Sequence, residues 1–249
     1  MSSYSPFWDG CESVLTSPRP LLLITGIADG LGAGVATAFA GAGYDILGLA
    51  RSNKAAASIG NLVAARGGRY THLCGDVTQG PDVAAALESH IGRISVVVHN
   101  AGALLIKPFD EIDAAEFEAV WRVTCLGAMI VARLVLPHMI AAGTGAIILT
   151  GATAGRRGNA RFAAFASAKF ALRGLAQSLA REYGPSGIHV AHVVLDGLID
   201  GPQTQERFGP ARSPRIDPDA VAQAYVNLVD QDPSCWTHEM DLRPFAERF

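Results

Sequence analysis

Apolar residues along this chain fall into short runs separated by longer, small-residue or amphipathic stretches, and the two kinds alternate from residue 21 onward. The first run, Leu21-Leu22-Leu23-Ile24, is wholly apolar and ends at a glycine-rich turn, the pattern of a strand buried on both faces. Comparable signals predict strands over residues 44–50, 70–74, 94–99, 145–150 and 189–195. Helices are predicted over 31–42, 53–66, 81–91, 114–140, 160–183 and 218–229. Residues 201–218 read as a Pro/Gly-rich loop, and 236–240 as the place for a last short strand. Strands that alternate with helices need crossover connections, so the sheet should be parallel and covered on both faces. The expectation is one doubly wound α/β domain over residues 20–249, preceded by a loose arm over 1–19.

Composition narrows the partners. At 249 residues with 49% hydrophobic and 17% charged side chains, the chain can bury a large core. Its net charge of −3, with no long basic run, argues against nucleic acid or an anionic membrane surface as partner. Cys11, Cys74, Cys125 and Cys235 show no metal-ligand spacing; they read as free thiols of a reducing, cytoplasmic compartment, and no metal is expected. The apolar stretch over 128–142 contains Arg133, Pro137 and His138, which argues against a membrane span. The first twenty residues lack the apolar region of a secretory signal.

The chemistry begins at Thr25-Gly26-Ile27-Ala28-Asp29-Gly30-Leu31-Gly32, between the first strand and the first helix. Backbone amides at a helix N-terminus attract a pyrophosphate, and glycines let that backbone come close. Strand, glycine turn and helix therefore predict a Rossmann-type dinucleotide site built on Gly26, Asp29, Gly30, Leu31 and Gly32. Two further segments follow strands, Gly75-Asp76-Val77 and His99-Asn100-Ala101-Gly102. With Thr150 to Gly155, Lys169 and the Asp196-Gly197 corner, these motifs resemble the short-chain dehydrogenase/reductase family over about residues 20–245.

That resemblance implies a nicotinamide dinucleotide, with Asp76 and Val77 at the adenine and Asn100, Ala101 and Gly102 along the cofactor. It also implies Lys169 at the nicotinamide ribose, and Gly197 and Ile199 near the carboxamide. The second strand ends Leu49-Ala50-Arg51-Ser52, with Ala50 where NAD-specific members carry an aspartate. Arg51 and Ser52 suit a 2′-phosphate, so NADP is expected, with NAD as the alternative. Asp29 leans toward NAD if it sets specificity; its other reading is a helix N-cap.

The catalytic positions depart from the family. Tyrosine and lysine stand four apart on one helix there, on a common face; this chain has Phe165 and Lys169. The serine position falls on Ala152 and the asparagine position on Thr124, and Asp196 replaces a proline. A subgroup with Phe for Tyr and a retained Lys is the better resemblance. Thr150, Thr153, Ser167 and His99 are candidate replacement polar groups, though each has an ordinary structural use. Arg156 and Arg157 could meet an acidic substrate or simply be solvated. The expected function is hydride transfer to or from a small organic substrate with an altered proton path; the alternative is a catalytically silent dinucleotide-binding scaffold, sensor or oligomer partner. A homodimer or homotetramer is expected through the two longest helices, one of which carries Ala163, Ala164, Ala166, Ala168 and Ala171.

Overall fold

Along Leu21–Thr25 (β1) side chains alternate between two cores, as the period-two geometry of a strand requires. Leu22 and Ile24 join one core, while Leu21 and Leu23 join the other. The computed structural model describes residues 19–211 and 213–246. Six further strands are β2 (Asp45–Ala50), β3 (Tyr70–Cys74), β4 (Ile94–His99), β5 (Gly145–Thr150), β6 (Ile188–Leu195) and β7 (Glu239–Leu242). All pair in parallel, in the order β3-β2-β1-β4-β5-β6-β7. The winding reverses between β1 and β4, and a crevice opens outside the carboxyl ends of strands at such a point.

Helices α1 (Leu31–Gly41), α2 (Ala56–Ala65) and α8 (Pro218–Val229) cover one face through Val35, Phe39, Ile59, Val63, Val221 and Tyr225. On the other face lie α3 (Gly80–Leu87), α5 (Gly127–Ala142) and α6 (Ala163–Tyr183), with Val83, Val131, Val135, Leu172 and Ala176 turned inward. The doubly wound α/β reading therefore holds. Of the arm expected over 1–19, residues 1–18 lie outside the described residues; Arg19 is fastened to the carbonyls of Ala40, Gly43 and Gly67.

Three segments differ from expectation. The helix predicted over 114–140 is α4 (Ala114–Trp121), a π-helical turn over Arg122–Leu126, and then α5. Asp113 starts it with a capping box, its carboxylate accepting from the Glu116 amide at 2.7 Å. The continuous run Ala114–Ala142 is long and apolar enough to cross a membrane by length and composition. Here Ala128, Val131, Ala132, Val135, Leu136 and Met139 spend that apolarity on the sheet. Second, the loop expected over 201–218 contains α7 (Pro202–Phe208), with Pro202 in its first turn and Gly209 (φ +73°) ending it. Third, the last strand sits over 239–242 rather than 236–240, as the edge partner of β6.

Candidate functional site

The glycine turn after β1 owes its shape to close approach. Gly26 has φ +70°, and a Cβ there would lie 2.5 Å from the Ala101 Cα. Gly30 (φ +87°) is the N-cap of α1, and Gly32 presses on Ile27 at 3.1 Å from a would-be Cβ to the Ile27 Cα. The turn is tied to its neighbours through the Gly26 amide, which donates to the Leu49 carbonyl at 2.8 Å. Asn100 adds its backbone amide to the Thr25 carbonyl at 3.1 Å and its side-chain amide to the Gly26 carbonyl at 3.3 Å.

Around this turn lies a cleft of about 600 Å³ at the switch point of the sheet. Of the residues expected at a cofactor, Gly26, Asp29, Gly30, Leu31, Gly32, Arg51, Ser52, Asp76, Val77, Asn100, Ala101, Gly102 and Ile199 all line it. Asp76 is locked by Thr78, whose amide and hydroxyl both donate to it at 2.9 and 2.8 Å. Those bonds, with the Arg51 and Arg122 charges, hold its carboxyl below the ordinary range against the opposing effect of burial. Asp29 is exposed and makes no cap bond, because Gly30 occupies the N-cap; its N-cap reading is corrected.

Sequence reasoning missed Lys54, Val123, Gln203 and Thr204, which share the same walls. Lys54 is the next basic residue after Arg51, a signal present in the sequence. Gln203 and Thr204 were hidden by reading α7 as loop.

Two expected residues are not on the cleft wall. Gly197 (φ +155°) turns the corner after β6, where a Cβ would meet Pro244 at 3.0 Å. Lys169 is buried behind Gly102 and donates to the Thr150 carbonyl at 2.7 Å. A Cβ built on Gly102 would lie 3.7 Å from its Nζ and 3.9 Å from the Thr124 Oγ1, so only a glycine's width separates that pair from the cleft. Burial pushes the Lys169 ammonium down to about 8. The Thr124 hydroxyl, in the π-helical turn, is buried with no hydrogen-bond partner.

Phe165, one turn before Lys169, has its ring centroid 5.8 Å from Nζ. It packs with Ala103, Leu105, Phe117 and Trp121 into an apolar wall over Val120, Ala164 and Ala168. Ala152 leaves β5 in extended conformation just before Thr153.

Of the remaining polar candidates, His99, Thr150 and Thr153 are engaged. His99 is fully buried, and its Nε2–H donates to the Thr124 carbonyl at 3.2 Å, since a carbonyl can only accept. Its Nδ1 therefore accepts from the Thr25 hydroxyl at 2.8 Å. Burial, helped by the Lys169 charge, pushes His99 down to about 3, so it stays neutral. Thr150 shares a bond with Tyr225 at 3.0 Å, and the Thr153 hydroxyl donates to Asp196 at 2.6 Å. Arg243 lies 3.4 Å from Asp196 and from Asp241, and Arg156 pairs with Asp241. Arg156 is thus tied into a network, while Arg157 and Ser167 are exposed. Among the described residues, no group of three or more His, Cys, Asp or Glu side chains gathers as a metal site would require.

Residues 20–209 match the family model described as short chain dehydrogenase. A 3-alpha-(or 20-beta)-hydroxysteroid dehydrogenase of Mycobacterium tuberculosis is 33% identical over 67% of this chain, a stretch that spans 65% of that relative's length. A short-chain dehydrogenase from Rhodopseudomonas palustris superposes with a TM-score of 0.78 at 36% identity, covering 92% of this chain and 100% of its own. A metagenomic short-chain oxidoreductase solved with NADP gives 0.79 at 26% identity, covering 92% and 99%.

Proposed function

The chain belongs to the short-chain dehydrogenase family, and from that premise we propose that it is a dinucleotide-dependent oxidoreductase acting on a small organic substrate, with three of the family's four catalytic positions replaced. The observation that carries this reading is the cleft at the sheet's switch point. Its walls join the glycine turn after β1 to Arg51, Ser52 and Lys54 after β2 and to Ile199 after β6. A nicotinamide dinucleotide would lie along it, pyrophosphate at Gly30 and the start of α1, adenine beside Asp76 and Val77. Bound there, the nicotinamide supplies hydride chemistry. The protein's share is to hold and orient it and to keep water away with the wall of Phe165, Phe117 and Trp121. Phe165 and Ala152 have no proton to give, and this also supports the second reading, a silent binding scaffold.

NADP is the preferred dinucleotide. Arg51 and Lys54 outweigh the single negative charge of Asp29 on the same cleft, which favours a 2′-phosphate there, and a similar oxidoreductase was solved with NADP. A charge-assisted hydrogen bond contributes about 1.5–3 kcal/mol. Calorimetric titration should therefore show NADPH binding at least about tenfold more tightly than NADH, by the same principle. Arg51→Ala should remove most of that difference; equal wild-type affinities would refute the preference.

We further propose a homodimer or homotetramer. The alanines expected to meet another chain are largely consumed within the fold: Ala164, Ala166 and Ala168 are buried. What α5 and α6 leave open instead is a groove of about 270 Å³ lined by Met129, Leu136, Ile140, Leu175, Leu179 and Tyr183. Sedimentation of the wild type should give a dimer or larger at micromolar concentration, and Leu179→Arg should shift it to monomer. A wild-type monomer would contradict the assembly.

A further inference from the structure

The proton inventory around Phe165 points past reaction type to substrate class. Hydride addition to a ketone leaves an alkoxide, which needs a proton and donors to hold its charge. Among the described residues packed around Phe165 none has a proton to release, and the Trp121 indole N–H is the one side-chain donor in that wall. Phe165 and Ala152 have no polar hydrogens. Both nitrogens of His99 are engaged, its one proton going to the Thr124 carbonyl. Thr124 itself is wholly buried behind Gly102, on the cofactor side. Lys169 is buried, with its ammonium against the Thr150 carbonyl and beside the Phe165 ring.

Thr153, next to Ala152, has its hydroxyl proton committed to the buried carboxylate of Asp196 at 2.6 Å. A hydroxyl that donates to a carboxylate presents only its lone pairs to anything else. The wall beside Phe165 is therefore aromatic, with the Trp121 N–H as its polar edge, and the Thr153 oxygen, on the short helical turn packed against α6, is a carboxylate-backed acceptor.

We infer that the substrate is an iminium ion, a carbon–nitrogen double bond that already carries positive charge, or in the reverse direction the corresponding amine; this rests on the dinucleotide-oxidoreductase reading above. The balance closes without an acid. The iminium carbon gains a hydride, with its electron pair, from the reduced nicotinamide. The C=N π pair settles on nitrogen, and the products are a neutral amine and the oxidised nicotinamide. An iminium N–H suits the Thr153 oxygen as acceptor, and a cation suits the faces of Phe117 and Trp121, the Phe165 ring already lying 5.8 Å from the Lys169 ammonium.

The test uses dihydroisoquinolinium, its N-methyl derivative, and tetralone as a ketone of similar shape, each with NADPH at pH 6, where the parent imine is protonated. Both iminium ions should be reduced, and tetralone at least about 10²-fold more slowly, the lower end of a general acid's contribution. The N–H ion should have a KM about tenfold below that of the N-methyl ion, the size of one charge-assisted hydrogen bond. Binding of the two ions without dinucleotide, followed by tryptophan fluorescence, should show the same ratio. Thr153→Val should abolish it in both measurements, and Thr153→Ser should restore it.

Tetralone reduced as fast as the iminium ions would overturn the inference. So would a tetralone rate that breaks near pH 8, which would make Lys169 the proton donor. Intact NADPH binding with neither ion reduced would overturn the substrate class and leave the oxidoreductase reading standing. Failure to bind any dinucleotide would overturn that reading, and this inference with it.

Discussion

Phe165→Tyr combined with Ala152→Ser should raise the reduction of simple activated ketones or diones by at least about 10²-fold over the wild type, because a positioned acid contributes about 10²- to 10⁴-fold. In barrier terms this is about 3 to 5.5 kcal/mol. The scaffold is prepared for both changes. Ala152 is in extended backbone that any residue adopts (φ −159°, ψ 166°), so serine costs no strain there. Phe165 is only partly buried, so a hydroxyl at its tip has room to reach out of the apolar wall. Lys169 already lies 5.8 Å from the ring, where its charge would favour the phenolate of a tyrosine and lower its pKa. Initial rates followed at the nicotinamide absorbance decide the matter. A double variant that folds, binds NADPH and stays inert toward ketones would show that the pocket, and not the missing donors, blocks the reaction.

Gly26→Ala should abolish dinucleotide binding and destabilise the fold by about 2–5 kcal/mol. The left-handed backbone costs an L-residue about 1–2 kcal/mol. Overpacking adds about 1–3 kcal/mol. The new methyl would sit 2.5 Å from the Ala101 Cα and 2.7 Å from its amide nitrogen, and neither is the end of a side chain that could swing away. Relief therefore requires the β1 turn to part from the loop after β4, the two walls between which the proposed dinucleotide would lie. Thermal denaturation and calorimetry on one preparation would measure both effects. Unchanged affinity in a folded Gly26→Ala chain would place the ligand somewhere other than this cleft.

Much of this was legible in the residues. Hydrophobic alternation gave the strands and the crossovers, because a strand buried on both faces has little freedom in composition: Leu21-Leu22-Leu23-Ile24 can hardly be anything else once a glycine turn follows it. The cleft was legible for the same reason, its glycines being dictated by backbone approach. Less visible were features set by tertiary contact. The π-helical turn over Arg122–Leu126 leaves no periodicity signal, since one extra residue in a long apolar helix looks like more helix. Helix α7 was hidden by the prolines and glycines around it, although Pro202 at its start and Gly209 at its end are ordinary helix punctuation. The engagement of Thr153 by Asp196 could not be read at all, because it joins residues 43 apart in sequence through the ends of two strands. Nor could sequence show that Ala164, Ala166 and Ala168 of α6 are buried within the chain's own fold, since a buried face and a docking face select the same small residues.

Calorimetric titration of NADPH into the wild-type chain decides whether the crevice between β1 and β4 holds a nicotinamide dinucleotide. Saturable binding of one dinucleotide per chain is expected, with a dissociation constant below about 1 mM, the upper end of ordinary Michaelis constants. Absence of binding by both NADPH and NADH to the folded protein at millimolar concentration would contradict it.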